Sequence, residues 1–248
     1  YKKNFEVTYP FYQLRAIGPE YYNVVLKYFR NNYFQSDPLI RTYSLSGFHQ
    51  SIEKLLIEKL HNSMCVMAVS ACPEQTVLGV AIASSATAID KDILTRLAKA
   101  TTDSSLQRYL EYLAHFKYLN DISQNPEHRV WELNLLSTDT TARGHGIAQM
   151  LMKQAFVMGK ERGHRYARVD CTNSLYAILS KRLQLRLMWV VEFKDFSNYY
   201  LEAMRGCLCP HTGLSVYVED LQSRKMAKFE RDVLDFNERC RTQLIQYH

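Results

Sequence analysis

The chain has 248 residues, 47% hydrophobic and 23% charged, with a formal net charge of +6 at neutral pH. These proportions belong to a packed domain and exclude global disorder, while 9 glycines and 6 prolines exclude collagen-like and low-complexity chains. No run approaches the ~20 apolar residues of a membrane span; the nearest, Ser63 to Ala86, is broken by Pro73, Glu74 and Gln75.

Phe5, Val7, Tyr9, Tyr12 and Leu14 read as a strand over Phe5 to Ile17, irregular at Pro10 and stopped by Gly18-Pro19. Tyr21, Val24, Val25, Tyr28 and Phe29 recur at helical spacing, predicting a helix from Glu20 to Phe34 closed by the loop Gln35-Ser36-Asp37-Pro38. Ile52, Leu55, Leu56 and Leu60 predict another over Phe48 to Leu60. Met64 to Ala71 and Thr76 to Ala83 then read as an antiparallel hairpin around Cys72-Pro73-Glu74-Gln75. Two helical segments, Asp90 to Lys99 and Leu106 to Leu119, follow without a Gly/Pro linker and so form an insertion in the same domain.

Beyond it come a strand (Val130 to Ser137), a helix (Gly144 to Arg162), a strand (Tyr166 to Cys171), a helix (Ser174 to Leu183) and strands Leu187 to Phe193 and Leu214 to Glu219. That order predicts a mixed α/β sheet. Phe229, Val233, Phe236, Cys240 and Leu244 stripe one face of a final amphipathic helix, expected to pack on the protein's own body. The expected organisation is a single domain over 1–248, with 220–248 as a helical extension.

Cysteines 65, 72, 171, 207, 209 and 240 include no CxxC pair, and Cys65 and Cys171 sit in apolar runs where a thiol acts as a small hydrophobe. Free thiols in a reducing, cytoplasmic setting are expected. Cys207-Leu208-Cys209-Pro210-His211 lacks the second ligand pair of a zinc site, so no metal is expected. The positive charge suits nucleic acid, a membrane surface or a polyanionic cofactor. It gathers into no run apart from the exposed side of the last helix, which favours neither nucleic acid nor membrane as partner.

The informative segment runs from Leu135 to Leu151. A buried strand ends, a polar loop turns, and small residues at 144, 146 and 148 open a helix. Small side chains let backbone N–H groups approach an anion, and the helix dipole favours negative charge there. The turn lacks the Lys-Ser/Thr of a P-loop and the GxGxxG of a dinucleotide site.

Arg143-Gly144-His145-Gly146-Ile147-Ala148 resembles the R-x-x-G-x-A/G signature of the GNAT superfamily of N-acetyltransferases, and most of the chain resembles the arylalkylamine (dopamine-type) group of insects. Ser36-Asp37-Pro38-Leu39 after the first helix, the helical insertion before the fourth strand and Pro210-His211 before the last strand support the likeness. The resemblance implies a mixed, mostly antiparallel sheet of about seven strands flanked by helices. It also implies acetyl-CoA as co-substrate and a small primary amine, an arylalkylamine, as acceptor. Contacts to CoA are implied for Leu136, Ser137 and Thr138 at the strand end, for Arg143, Gly144, His145, Gly146, Ile147 and Ala148 in the turn, and for Asn173.

In that family the amine attacks the thioester directly, so one proton must leave the ammonium and one must reach the thiolate. The family's base, a Glu before Pro-Leu, corresponds to Asp37, which from the residues alone is equally a turn or cap residue. The superfamily's usual Tyr acid is absent: Leu179-Ser180 stands where Leu-Tyr is common, and Gln184-Leu185 replaces Gly-Phe. Thr172 and Tyr176 match the hydroxyls given the acid role in the arylalkylamine group. Polyamine or lysine acetylation, or a non-catalytic acyl-CoA-binding module, are the alternatives; the expected state is a monomer or weak dimer.

Overall fold

The computed structural model describes residues 12–43, 45, 50–71, 75–86, 90–119, 129–195 and 211–246. Among them, β1 (Tyr12–Ala16), β2 (Met64–Ser70), β3 (Val77–Ser85), β4 (Val130–Thr138), β5 (Tyr166–Cys171), β6 (Arg186–Glu192) and β7 (Gly213–Asp220) form one sheet in the order β1-β2-β3-β4-β5-β7-β6. Among these strands, only β4 and β5 pair in parallel. The mixed sheet read from the element order is present, in the mostly antiparallel, seven-stranded form that the resemblance implies.

Alternating side chains send the sheet's two faces into two cores. Cys65, Met67 and Val69 of β2 pack with α1 (Tyr22–Tyr28), α4 (Gln50–Asn62) and α6 (Ser104–Leu119). Val66 and Ala68 face the other way, toward α7 (Ile147–Glu161) and α9 (Arg224–Gln246). The remaining helices are α2 (Phe34–Ser36), α3 (Pro38–Thr42), α5 (Asp90–Ala100) and α8 (Ser174–Arg182). Helix α9 docks as its stripe predicts: Met226, Phe229 and Val233 are buried, and Phe236 lies 4.8 Å from the Tyr12 ring. No helix among the described residues is long and apolar enough to cross a membrane.

Two irregularities in β4 shape the centre of the sheet. The β3–β4 register slips so that Ile82 opposes Leu135 and Ala83 opposes Leu133, leaving Asn134 as an extra residue. The alternation changes phase there: Trp131, Leu133 and then Leu136 join the α7 core, while Leu135 joins the opposite one. On the other edge, pairing with β5 stops at Leu133 and Val169, although β4 runs on to Thr138. From Asn134 onward that edge faces no paired strand, and a wedge opens.

The structure departs from the sequence reading at several element ends. The expected helix of residues 20–34 is a succession of a 3-10 turn (Pro19–Tyr21), α1, a π-helical turn (Phe29–Tyr33) and α2. The expected loop at Asp37-Pro38 instead starts α3, because Asp37 caps it and Pro38 supplies a preset φ at its first position. Helix α7 begins at Ile147 rather than Gly144, since Gly144 and Gly146 adopt φ of +86° and +77°. Phe5 to Phe11, Phe48, Cys72-Pro73-Glu74, Cys207 to Pro210 and the side chain of Leu244 lie outside the described residues.

Candidate active site

The wedge ends at the start of α7. Gly79 on β3 lets this helix sit close: a Cβ there would fall 2.9 Å from Leu151 Cδ1 and 3.0 Å from Ile147 Cγ2. The intervening turn, Thr140–Ala142, is fixed by Asp139, whose Oδ1 accepts from Thr141 N (2.8 Å) and Thr141 Oγ1 (2.6 Å). Beyond it, a Cβ on Gly144 or Gly146 would meet nothing within 4 Å. The glycines are therefore needed for their left-handed backbone, and the space in front of them is open. Gly146, the N-cap of α7, offers no side-chain acceptor, so the first-turn amides remain available to an anion.

The expected CoA contacts divide into backbone and side chain. Leu136 and Ile147 are buried in the α7 core and offer only main-chain groups, and Ala148 packs against the same core. Ser137 is buried with its Oγ 3.1 Å from Tyr28 Oη, which ties β4 to α1. Thr138 ends the strand half-buried, and Arg143 is exposed beside the glycines. His145 donates from Nδ1 to Ala142 O at 3.2 Å.

Asp37 lies on the other side of the wedge, only 4% exposed. Its Oδ1 accepts from Leu39 N (3.0 Å) and Ile40 N (3.1 Å), as a cap does. Burial pushes its carboxyl up to about 6, against the opposing pull of those two amides. Burial also raises the phenols of Tyr33, Tyr109, Tyr112 and Tyr176, and the Asp37 charge adds to each. The structure thus brings Asp37 and Tyr176 into one electrostatic cluster although 139 positions separate them. The cap and the perturbed carboxylate are the same group.

A cavity of about 730 Å³ adjoins this cluster. Tyr33, Leu39, Ile40, Tyr109, Thr172 and Tyr176 line its near end; aliphatic residues of α4, α5 and α6 with Phe116 form its wall, and Leu133 to Leu136 its β4 side. Farther along, Lys117 bridges Glu132 and, at 3.5 Å, Asp170. Arg168 Nε lies 2.6 Å from Asp170 Oδ1. Burial favours protonation of Asp170, but Arg168 and Lys117 outweigh it and hold the carboxyl below its usual range. Two cations therefore offset two carboxylates here.

Asn173 and His211 have explicit local partners. Asn173 caps α8 by accepting from Tyr176 N (3.0 Å), and His211 Nδ1 accepts from Ser174 N (3.2 Å). Together they fix the helix start that carries Tyr176. Among the buried aromatics of this core, Tyr109 and Phe116 line the cavity, whereas Phe29, Phe34 and Tyr112 do not. Tyr33, which also lines the cavity, was not singled out by the sequence reading, which ended the helix at Phe34 and placed Asp37 in the loop beyond it.

No protein-family model matches the sequence. The structure is similar to arylalkylamine N-acetyltransferase 2 from Aedes aegypti, with a TM-score of 0.77 at 19% identity over 85% of this chain and 99% of that one. It is similar to a mosquito arylalkylamine N-acetyltransferase like 5b (0.76, 18% identity, 84% and 99% covered). It also resembles the Drosophila melanogaster polyamine N-acetyltransferase that forms N-acetylagmatine (0.71, 18% identity, 84% and 99% covered). With the wedge and the two-glycine helix start, this likeness shows that the chain has the GNAT N-acetyltransferase fold, in the form seen in insect arylalkylamine and polyamine acetyltransferases.

Proposed function

We propose that the protein is an acetyl-CoA-dependent N-acetyltransferase acting on a small primary amine, with an arylalkylamine as the acceptor. The observation that carries this reading is the adjacency of two features across one wedge: an uncapped, glycine-opened helix start, and a buried, proton-accepting carboxylate next to an apolar cavity. The residues present fit acetyl-CoA. Open space stands before both left-handed glycines, the α7 amides suit a pyrophosphate, and Arg143 supplies a cation. The unpaired edge of residues 134–138 suits an extended amide-bearing arm.

When bound, acetyl-CoA supplies a thioester carbonyl for the neutral amine to attack, forming the C–N bond as the C–S bond breaks. Asp37 takes the proton that frees the amine's lone pair, and its raised affinity for protons narrows the gap to an alkylammonium. Tyr176 and Thr172 present hydroxyls to the departing sulfur. Burial puts the Tyr176 phenol further above a thiol (~8.5) than an ordinary phenol (~10), so Tyr176 serves as hydrogen-bond donor. The second amine proton balances the thiolate.

The cavity supports an aryl or alkyl body more than a second cation. Its near walls are tyrosine, leucine and isoleucine; of its three carboxylates, Glu132 and Asp170 are paired with Lys117 and Arg168, and Glu58 is an exposed residue lining the cavity together with Lys59. Thiol release from acetyl-CoA with phenethylamine-type, polyamine and lysyl-peptide acceptors tests this. Arylalkylamines should show a kcat/KM at least tenfold above the others. Acetyl-CoA binding without turnover on any amine would sink the enzymatic reading, and preference for polyamines would sink the acceptor class.

A further inference from the structure

Along the parallel pair β4–β5, the side chains on the cavity side of the sheet turn from apolar to charged. Ala167, Val169 and Cys171 of β5 join the α7 core, so Arg168 and Asp170 point the other way, as does Glu132 of β4 between Trp131 and Leu133. Glu132 and Asp170 line the cavity with side chains only 6% and 12% exposed, whereas Glu58, the third carboxylate of the lining, faces solvent. Buried charges are costly unless paired. Arg168, from the same strand, holds Asp170 through Nε and Nη2 at 2.6 and 3.2 Å. Glu132 is met by Lys117, which reaches in from α6 and also lies 3.5 Å from Asp170 Oδ2. Lys117 is itself part of the lining. A primary ammonium on a flexible alkyl stem, seated between two carboxylates at a cavity wall, has the chemistry of one end of an alkyl diamine.

We propose that Lys117 is a specificity-determining residue, its ammonium filling a cation subsite built by Glu132 and Asp170 that would otherwise take the second positive charge of a diamine acceptor. This rests on the reading of the protein as an acetyltransferase of arylalkylamines and names the group that sets that preference.

Charge balance separates the two states. With Lys117 in place, Lys117 and Arg168 offset Glu132 and Asp170, and a second ammonium meets a cation already seated. Without it, Arg168 still holds Asp170, and Glu132 becomes an uncompensated carboxylate at the cavity wall. Such a group repels nothing cationic and favours a ligand ammonium that replaces the lost partner. Phe116 and Lys117 are consecutive on α6 and both line the cavity. One turn of the insertion thus supplies an aromatic wall for an aryl body and the tethered cation that turns a second charge away.

The test compares kcat/KM for putrescine and cadaverine with that for the monoamines of equal chain length, with phenethylamine alongside and acetyl-CoA affinity as the folding control. In the parent, the monoamines and phenethylamine should be preferred. Lys117→Gln keeps a hydrogen-bond donor for Glu132 without the charge, and it should raise the diamine-to-monoamine ratio about tenfold or more, chiefly through KM. Lys117→Met, a second uncharged variant, should do the same. Lys117→Arg keeps the cation and should stay near the parent ratio, and Lys117→Gln combined with Glu132→Gln should fall back toward it. An unchanged ratio in the uncharged variants, with acetyl-CoA affinity retained, would overturn the inference while leaving the arylalkylamine reading in place. An equal rise in Lys117→Arg would also overturn it, since charge would not be the cause. A parent that already prefers the diamines would overturn both.

Discussion

The Asp37 side chain accepts from two backbone amides, yet its carboxyl binds protons more tightly than a free Asp, so desolvation outweighs both hydrogen bonds. The native carboxyl titrates at about 6 against 3.8 for the ordinary group, a gap of about 2 units or about 3 kcal/mol. Because the folded value is the higher one, the native state binds the extra proton between these limits. The contribution of this group to stability is then fully present below about pH 4 and is lost as pH rises through about 6. Asp37→Asn keeps an oxygen to accept from Leu39 and Ile40 but cannot ionise. Its melting temperature should therefore exceed the parent's above pH 6, and the difference should shrink toward pH 4, as thermal melts across pH 4–8 would read. A difference that stays flat would mean that Asp37 ionises in the native state without cost. Such a gain in stability with a loss of rate distinguishes a working carboxylate from a plain cap. The residue was legible as one of two alternatives, cap or base, because Asp before Pro serves both. Tyr33 was not legible, because a 3.6-residue period carried through 29–33 assigns it to the stripe of Val25 and Phe29, while the wider π turn leaves it half-buried at the cavity.

At the scale of elements, α7 is where sequence and structure agree on place and differ on geometry. The small residues at 144, 146 and 148 mark the turn, but periodicity extends the helix back over Gly144, since φ signs are not written in spacing. Gly146 at φ +77° makes a large substitution ambiguous: lost binding would mix backbone strain with a filled cradle. Asn tolerates the left-handed region, so Gly146→Asn adds a side chain to the open space with least strain. It should weaken acetyl-CoA binding about tenfold or more by calorimetry while moving the melting temperature only a few degrees. Unchanged affinity in the folded variant would remove the pyrophosphate from this turn. The β4 bulge was hidden for a different reason. Trp131, Leu133 and Leu135 alternate with Glu132 and Asn134 as in an unbroken strand, so the pattern puts Leu135 on the face of Leu133, whereas the extra residue sends it to the other. The wedge that the site needs is a property of pairing, and composition carries no trace of it.

For the whole molecule, the two cores on opposite faces of the sheet divide the labour. The α1–α6 side holds the cavity and Asp37, and the opposite side braces α7 from behind through α9. The amphipathic stripe of α9 was readable as self-packing, but its polar anchors were not, because they join residues some seventy to eighty positions apart. Lys160 meets Glu230 at 2.6 Å, and Lys153, 6% exposed, meets Asp232 Oδ2 at 2.5 Å with its ammonium 5.5 Å from the Phe229 ring centroid. The two partners of the Lys153 pair are unequal, since the Asp232 side chain is 33% exposed. Removing Asp232 strands a buried cation, whereas removing Lys153 leaves a carboxylate that water reaches. Asp232→Ala should therefore cost about 1–2 kcal/mol, and Lys153→Met, which retains an apolar stem over Phe229, should cost less. Urea denaturation of both variants measures the difference, with the slope m unchanged if only the native contact is lost. A larger loss from Lys153→Met would mean that the aliphatic and ring contacts, and not the ion pair, hold α9 against α7.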